Sequence, residues 1–247
     1  VSYIDLFAGS GIIGIEKLKK KYLGSPLIIT HVVENKFDTY YFLDKQTNFV
    51  NQLKKLINMN NVKFMEGDSN IKIDDIISEI SGDDHHSLIF IDPFSTEIKF
   101  ETIRKLGNVK CDLIITLATE EIFRAIMQWR SNKYIKTDAL NDFFGDDRWK
   151  KDLVDINSAQ EIFDYYSKKI VNEAYKKPPV STKIEKTIDG HYYFMLFTST
   201  GGKSSRPDFF DVIDDFNKRI FSFSGEEIYK YFIHYVEGSG KSVDDWD

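Results

Sequence analysis

The chain has 247 residues, of which 42% are hydrophobic, 15% aromatic and 29% charged, with a formal net charge of −6. That balance fits an ordinary globular protein, either one α/β domain with an elaborated end or two small domains, and it excludes a general nucleic-acid coat, which needs a clear basic excess. The single cysteine, Cys111, excludes a disulfide framework and a Cys-based zinc site.

The chain opens on Tyr3-Ile4-Asp5-Leu6-Phe7-Ala8-Gly9-Ser10-Gly11. Tyr3 to Phe7 has the character of a short buried strand, and it runs into a glycine turn. Val1 already falls within that strand, so a preceding segment is expected. After Gly11 a helix is expected, with Ile12, Ile13, Ile15 and Leu18 on one side and Glu16, Lys17, Lys19, Lys20 and Lys21 toward water. The lysine run reads first as a solvated face and second as a phosphate contact. Gly24 suits a helix C′ position, Ser25 an N-cap and Pro26 the first helical position. The run from Leu27 to Glu34 fits strand or helix. The aromatic run Thr39-Tyr40-Tyr41-Phe42-Leu43-Asp44 is short and ends in a carboxylate, so the second strand is expected to end at Asp44 rather than at Glu34.

Phe49, Val50, Leu53, Leu56 and Ile57 have the spacing of a helix. A third strand, Val62 to Met65, leads to Glu66-Gly67-Asp68-Ser69, and a helix is expected from Asp74 to Ile80. His85 and His86 sit in a polar loop without a third ligand at fixed spacing, so they read as solvated rather than as a metal pair. The fourth strand, Leu88 to Asp92, is closed by Pro93-Phe94. The fifth runs from Asp112 to Leu117, with Cys111 as a small buried hydrophobe beside it, and a helix follows from Thr119 to Trp129. Strands and helices in alternation, with continuous apolar strands, predict a parallel sheet. The stretch 131–179 breaks the alternation and holds a helix from Ser158 to Tyr175. Lys183 to Ile188, the turn Asp189-Gly190 and the return strand His191 to Ser199 form a hairpin. A helix from Asp208 to Phe221 follows, then an aromatic helix from Glu226 to Val236 and a frayed end. No repeat or low-complexity tract interrupts this order. No apolar run reaches the ~18 residues needed to span a bilayer and no signal peptide is visible, so a cytoplasmic protein is expected.

The chemistry concentrates at strand ends. Gly9 and Gly11 bring no Cβ, so the backbone there can approach a ligand, as in sites for dinucleotides or for S-adenosylmethionine (SAM). Gly14 completes a G-x-G-x-x-G pattern, which leaves the turn alone ambiguous between the two. Asp44 at the end of strand two suits ribose hydroxyls in either class. Asp68, after strand three, suits an adenine amino group, and Asp5 suits the methionine amino group; a nicotinamide site needs neither. Phe7, Ser10 and Ser69 flank these positions. Asp92-Pro93-Phe94 resembles the Asp-Pro-Pro-aromatic motif of amino-methylating enzymes, in which the carboxylate holds the target amine and the aromatic stacks on the base. Here one proline is absent. A proline-terminated strand is the plainer reading of the same residues. Together the carboxylates favour SAM, with no metal.

The chain also resembles a family, the three-Cys-motif partner proteins, which look like class I SAM methyltransferases. The resemblance rests on Tyr3 to Gly9, Gly24-Ser25-Pro26, Tyr40 to Asp44, Phe90 to Phe94, Phe143-Phe144-Gly145 with Trp149, and the strand Tyr192 to Thr200. It implies a SAM site at Asp5, Gly9, Gly11, Asp44 and Asp68. It also implies a partner protein with a cysteine motif of the radical-SAM sort, in a mobile or defence-linked setting. One departure is Leu117-Ala118-Thr119, where a proline-containing turn followed by an Arg is expected; Arg124 is present.

The expected fold is therefore a Rossmann-like class I methyltransferase sheet, mostly parallel, with an antiparallel C-terminal hairpin strand and a helical insertion. The expected organisation is a core over 1–130 and 180–223, an inserted helical cap over 131–179, and a C-terminal helix and tail over 224–247. The expected function is SAM-dependent methyl transfer to a nucleic-acid base or a protein. The alternative is a catalytically weak or inactive methyltransferase-like partner subunit, and a nicotinamide enzyme ranks third. Phe143, Phe144 and Trp149 read as core before they read as base-stacking groups.

Overall fold

In the computed structural model the described residues are 1–15, 20–32, 36–82, 84–132, 136–174, 180–185, 192–200 and 208–220. They divide into two compact units, one of Val1–Asp68 with the helix near the C-terminus, the other of Ser69–Arg206.

In the first unit, β1 (Ser2–Asp5) is followed by β2 (Ile12–Ile15), β3 (Lys20–Leu23), α1 (Ser25–Val32), β4 (Thr39–Asp44), α2 (Thr47–Leu56) and β5 (Val62–Glu66). β1 pairs parallel with β4, Ser2 opposite Thr39, and β4 pairs parallel with β5, Tyr40 opposite Val62. Tyr40 to Leu43 are buried in succession, which is why the run carries no polar alternation. Tyr3, Phe37, Tyr40 and Phe42 pack ring against ring, with centroids 5.5–6.4 Å apart. α2 buries Val50 and Leu53 and turns Lys54 and Lys55 outward in its last turn, where they favour the helix dipole.

The helix expected after Gly11 is instead an antiparallel ribbon. β2 and β3 pair from Ile12 opposite Leu23 to Ile15 opposite Lys20. Ile12, Ile15 and Leu18 have helical spacing, but so short a run cannot separate the two periods. Three β-branched side chains lower the helix propensity, and Gly14 in a helix interior would cost about 1 kcal/mol. Gly24 is accordingly no helix C′ residue. Its N–H donates to the Gly11 carbonyl (2.7 Å) and closes the neck of the ribbon, where a Cβ would lie 3.1 Å from the Gly11 carbonyl group. The Gly24 carbonyl then accepts from Leu27 and Ile28 to start α1, one residue earlier than the expected Ser25 cap.

The second unit holds α3 (Ser69–Ile80), β6 (Ser87–Ile91), α4 (Phe100–Leu106), β7 (Cys111–Leu117), α5 (Thr119–Ser131), α6 (Asp138–Phe144), α7 (Trp149–Asp152), α8 (Ala159–Glu173), β8 (Val180–Glu185) and β9 (Tyr192–Ser199). β6 and β7 pair parallel; β7–β9 and β8–β9 pair antiparallel. The return strand is thus as expected, while its turn at Asp189-Gly190 lies outside the described residues. α3 begins five residues before the expected Asp74, and α4 was not expected at all. Phe100, Phe143, Phe144, Trp149 and Tyr166 are fully buried. Phe143 stacks on Tyr166 at 4.7 Å, and Trp129 meets Trp149 edge-on at 5.0 Å. Trp149 Nε1 donates to Asn141 Oδ1 (2.9 Å), so the indole is buried with its N–H satisfied. These aromatics are core. Beside them Lys169 Nζ pairs with Asp146 (2.6 Å) and Glu173 (2.8 Å), and Arg104 and Arg148 close the network.

α9 (Asp208–Ile220) belongs to the first unit. The helix expected over 226–236 and the tail after it lie outside the described residues. The strand order is β5-β4-β1-β6-β7-β9-β8, with β2-β3 as a separate two-stranded sheet. A mostly parallel seven-stranded sheet with one antiparallel edge, its strands interleaved with helices, is the Rossmann-like α/β fold of class I methyltransferases. Among the described residues no helix is long and apolar enough to cross a membrane.

Candidate functional site

β1 ends at Asp5, and the chain then turns through Leu6 to Gly11. Asp5 is fully buried. Its Oδ1 accepts from the Phe7 N–H (3.1 Å) and its Oδ2 from the Ser25 hydroxyl (2.6 Å), so this carboxylate ties the start of the turn to the start of α1. A buried carboxylate needs such donors to offset its desolvation. Ala8 N donates to the Leu43 carbonyl (2.9 Å), which carries the turn across to the end of β4. Ser10 Oγ donates to the Ile12 carbonyl (2.8 Å).

The two glycines do different work. Gly9 has φ +63° and, among the described residues, no atom within 4 Å of where a Cβ would lie. Gly11 has φ +80°, but a Cβ there would lie 2.7 Å from Leu53 Cδ2 and 3.3 Å from Leu27 Cγ. Gly9 therefore fronts open space, while Gly11 is where α1 and α2 close on the turn.

Asp44, at the end of β4, is brought directly to this turn. Its Oδ2 accepts from the Gly9 N–H (2.8 Å) and its Oδ1 from the Gln46 N–H (2.8 Å). A carboxylate offers about four lone-pair positions, so two such bonds leave acceptor capacity for a ligand's hydroxyls. The Asp44 carbonyl accepts from Gly67 N (3.1 Å), which joins the ends of β4 and β5. Gly67 has φ +141°, a conformation that a side chain would strain. Asp68 follows, half-buried, and then Ser69, the buried first residue of α3. Gly9, Ser10, Asp44 and Asp68 thus lie at the carboxyl ends of β1, β4 and β5, the edge at which open α/β sheets bind ligands.

In the second unit, β6 delivers Asp92 to its own carboxyl end. Asp92 is solvent-exposed on one side, yet the protein around its carboxyl raises its pKa above the ordinary carboxylate value; a hydrogen bond with Thr116 lowers it in part. Pro93 is buried, and Phe94 is 80% exposed. Ser95 has φ +62°, and the Phe94 N–H donates to Glu97 Oε2 (3.1 Å). The Asp92 carboxylate can accept an N–H or O–H, and the Phe94 ring, two residues on, offers a flat face to solvent.

Thr116 was not anticipated from sequence, although the parallel register, Ile91 opposite Ile115, puts it next to Asp92. Ser25 appeared only as a cap, and nothing in a linear reading marks it as the partner of Asp5. His86 Nε2 pairs with Asp112 Oδ2 at 2.9 Å. Among the described residues no group of three His, Cys, Asp or Glu side chains is placed to hold a metal ion.

No family model and no curated protein matches the chain. Solved structures do. The Legionella pneumophila protein LPL1258 aligns with a TM-score of 0.50 at 12% identity, over 87% of this chain and 82% of its own. A SAM-dependent methyltransferase of Aquifex aeolicus aligns at 0.40 and 16% identity, over 79% and 80%. Trm1 of Pyrococcus horikoshii, determined with S-adenosyl-L-methionine, aligns at 0.43 and 13% identity, over 80% of this chain and 50% of its own. At these identities the likeness to the Legionella protein is one of fold, and the lower scores add nothing to it.

Proposed function

We propose that the chain is a SAM-dependent methyltransferase of the cytoplasm whose acceptor is a nucleic-acid base or a group on a protein. The observation that carries this reading is the bond from Gly9 N–H to Asp44, with no atom of the described residues in front of Gly9 and, among those residues, acceptor capacity left on the carboxylate. In this reading Asp44 takes the ribose hydroxyls and Asp68, with Ser69, the adenine end. Gly9 and Ser10 border the methionine end, which Asp5, Phe7 and Gly11 support from behind. When bound, SAM supplies its sulfonium methyl group as the electrophile. Asp92 then accepts a hydrogen bond from the acceptor, Pro93 fixes the end of the strand, and Phe94 offers a face for stacking. Orientation of this kind is the main contribution a protein makes to methyl transfer. We treat 131–179 as an insertion into a core of 1–130 and 180–223; its α8 packs on α4 through Tyr166 and Phe100, and its α7 on α5 through Trp149 and Trp129, which supports a rigid insertion.

A second reading is a methyltransferase-like subunit with little or no catalysis, working with a cysteine-motif partner of the radical-SAM sort in a mobile-element or defence-linked system. Two features favour it: the single proline in Asp92-Pro93-Phe94 and the absence of proline from Leu117-Ala118-Thr119. Calorimetric titration with SAM and with NAD, followed by transfer from methyl-labelled SAM to RNA, DNA and protein pools, tests both. The first reading requires SAM binding and label transfer. Binding without transfer selects the second, and binding of NAD in place of SAM removes both.

A further inference from the structure

We propose that Asn70 is a positioning residue, whose side-chain amide clamps the loop 93–99 and so holds Asp92 and Phe94 where they meet the methyl acceptor. The proposal rests on the methyltransferase reading for the word acceptor, but the clamp itself is a matter of geometry. Asn70 lies in the first turn of α3. Its Nδ2 donates to the Glu97 carbonyl (2.9 Å), and its Oδ1 accepts from the Lys99 N–H (2.8 Å) and from the Thr102 hydroxyl (2.8 Å). An amide is the side chain that brings donor and acceptor to the same backbone stretch at once; a carboxylate of equal size cannot donate to Glu97.

The loop so held is unusual in two respects. It presents Phe94 to solvent at 80% exposure, and it keeps Ser95 at φ +62°. Neither is favourable by itself, and such features persist where the surroundings over-determine them. Here the surroundings are explicit. Pro93 and Ile98 are buried as plugs on either side of the exposed ring. The Phe94 N–H is capped by the Glu97 carboxylate, and Lys99 Nζ pairs with Asp142 Oδ2 (2.9 Å) on α6. Asn70 is the member of this set that grips both Glu97 and Lys99, the two residues that fix where the Phe94 turn ends. Ile71, the next residue, is itself 70% exposed, so the start of α3 also offers an apolar side chain to solvent.

The test uses the full chain with Asn70→Ala, Asn70→Asp and Thr102→Val, read by amide-resolved hydrogen exchange and by calorimetric titration with SAM. In Asn70→Ala, amides of 94–99 should exchange about 10- to 100-fold faster, with β6 and β7 unchanged and SAM affinity within about twofold of wild type. Asn70→Asp keeps the acceptor oxygen and should keep the Lys99 amide slow. Transfer from methyl-labelled SAM to an acceptor pool should lose at least about tenfold in kcat with KM for SAM unchanged. Unchanged exchange in 94–99, or faster exchange spread evenly over β6 and β7, overturns the clamp. Should Asn70→Ala not fold, the two milder variants decide by the same pattern. A wild-type chain that fails to bind SAM removes the methyltransferase reading, and the exchange data then decide the clamp without it.

Discussion

Gly9 and Gly11 stand two residues apart in one turn, both with positive φ, and the structure assigns them opposite sensitivities. Gly9→Ala meets no atom of the described residues within 4 Å, so the folded-state penalty read from them is the left-handed conformation, about 1–2 kcal/mol for an L-residue. Gly11→Ala pays the same and also drives its Cβ to 2.7 Å from Leu53 Cδ2 and 3.3 Å from Leu27 Cγ. Both leucines are fully buried, so neither can swing into solvent, and overpacking of this kind adds about 1–3 kcal/mol. Gly11→Ala should therefore lose about 2–5 kcal/mol in urea denaturation and Gly9→Ala about 1–2 kcal/mol. Ligand binding should run the other way. Gly9→Ala puts a methyl group into the space in front of the turn and should weaken SAM binding at least about tenfold, because a close backbone approach is lost. The folded fraction of Gly11→Ala should bind SAM within about threefold of wild type, since its Cβ faces the helices. Urea denaturation and calorimetry on the same two samples read both effects. A Gly9→Ala protein that binds normally, or a Gly11→Ala protein that is the more stable of the pair, would refute the division of labour between these glycines.

Three further outcomes follow from the second unit. The Tyr166 hydroxyl is buried without a hydrogen-bond partner among the described residues, while its ring stacks on Phe143; Tyr166→Phe should be neutral or up to about 1 kcal/mol stabilising by thermal or urea denaturation. Although Asp92 is partly open to solvent, desolvation by the protein around its carboxyl raises its pKa above the unfolded value, so the native state binds that proton more tightly and Asp92 destabilises the fold as pH rises through the window between the two values. Asp92→Asn should thus be more stable than wild type at neutral pH, with the difference vanishing below about pH 4; a difference independent of pH would contradict it. At Asp146, desolvation works against ionisation, but hydrogen bonds from Arg148 and Lys169 outweigh it and hold the carboxyl well below the usual range. At Glu173, Arg104 and Lys169 likewise outweigh desolvation. Their stabilisation is present above the unfolded pKa and is lost as pH falls through the native one, so Lys169→Met should flatten the acid limb of a stability–pH profile.

Much of this was open to a linear reading where burial was two-sided. Tyr40 to Leu43 announce a strand because every position is apolar, and that places Asp44 at its end. α4 was not, because its buried side chains, Phe100, Ile103 and Leu106, span only seven residues and no side chain caps its start. α3 begins at Ser69 although its apolar stripe, Ile73, Ile76 and Ile80, suggests a later start; its first turn is polar apart from an exposed Ile71. The sequence disguises the β2–β3 ribbon because an isoleucine run with helical spacing is also a good strand, and Lys20 and Lys21, which read with the preceding lysines as a solvated helix face, lie in the partner strand. In the candidate site the carboxylates could be proposed from their positions after strands. Their partners could not: Ser25 for Asp5, Thr116 for Asp92 and Asn70 for the 93–99 loop depend on register and loop path, which local sequence does not encode.

The central claim is that Asp44, held by the Gly9 amide, receives a SAM ribose. Calorimetric titration of the wild-type chain and of Asp44→Ala with SAM tests it most directly. SAM should fill a single saturable site in the wild type and bind about 10- to 100-fold more weakly to a folded Asp44→Ala, the loss expected for one to two hydrogen bonds to a charged acceptor. An unchanged SAM affinity in Asp44→Ala, or no SAM binding by the wild-type chain, would contradict it.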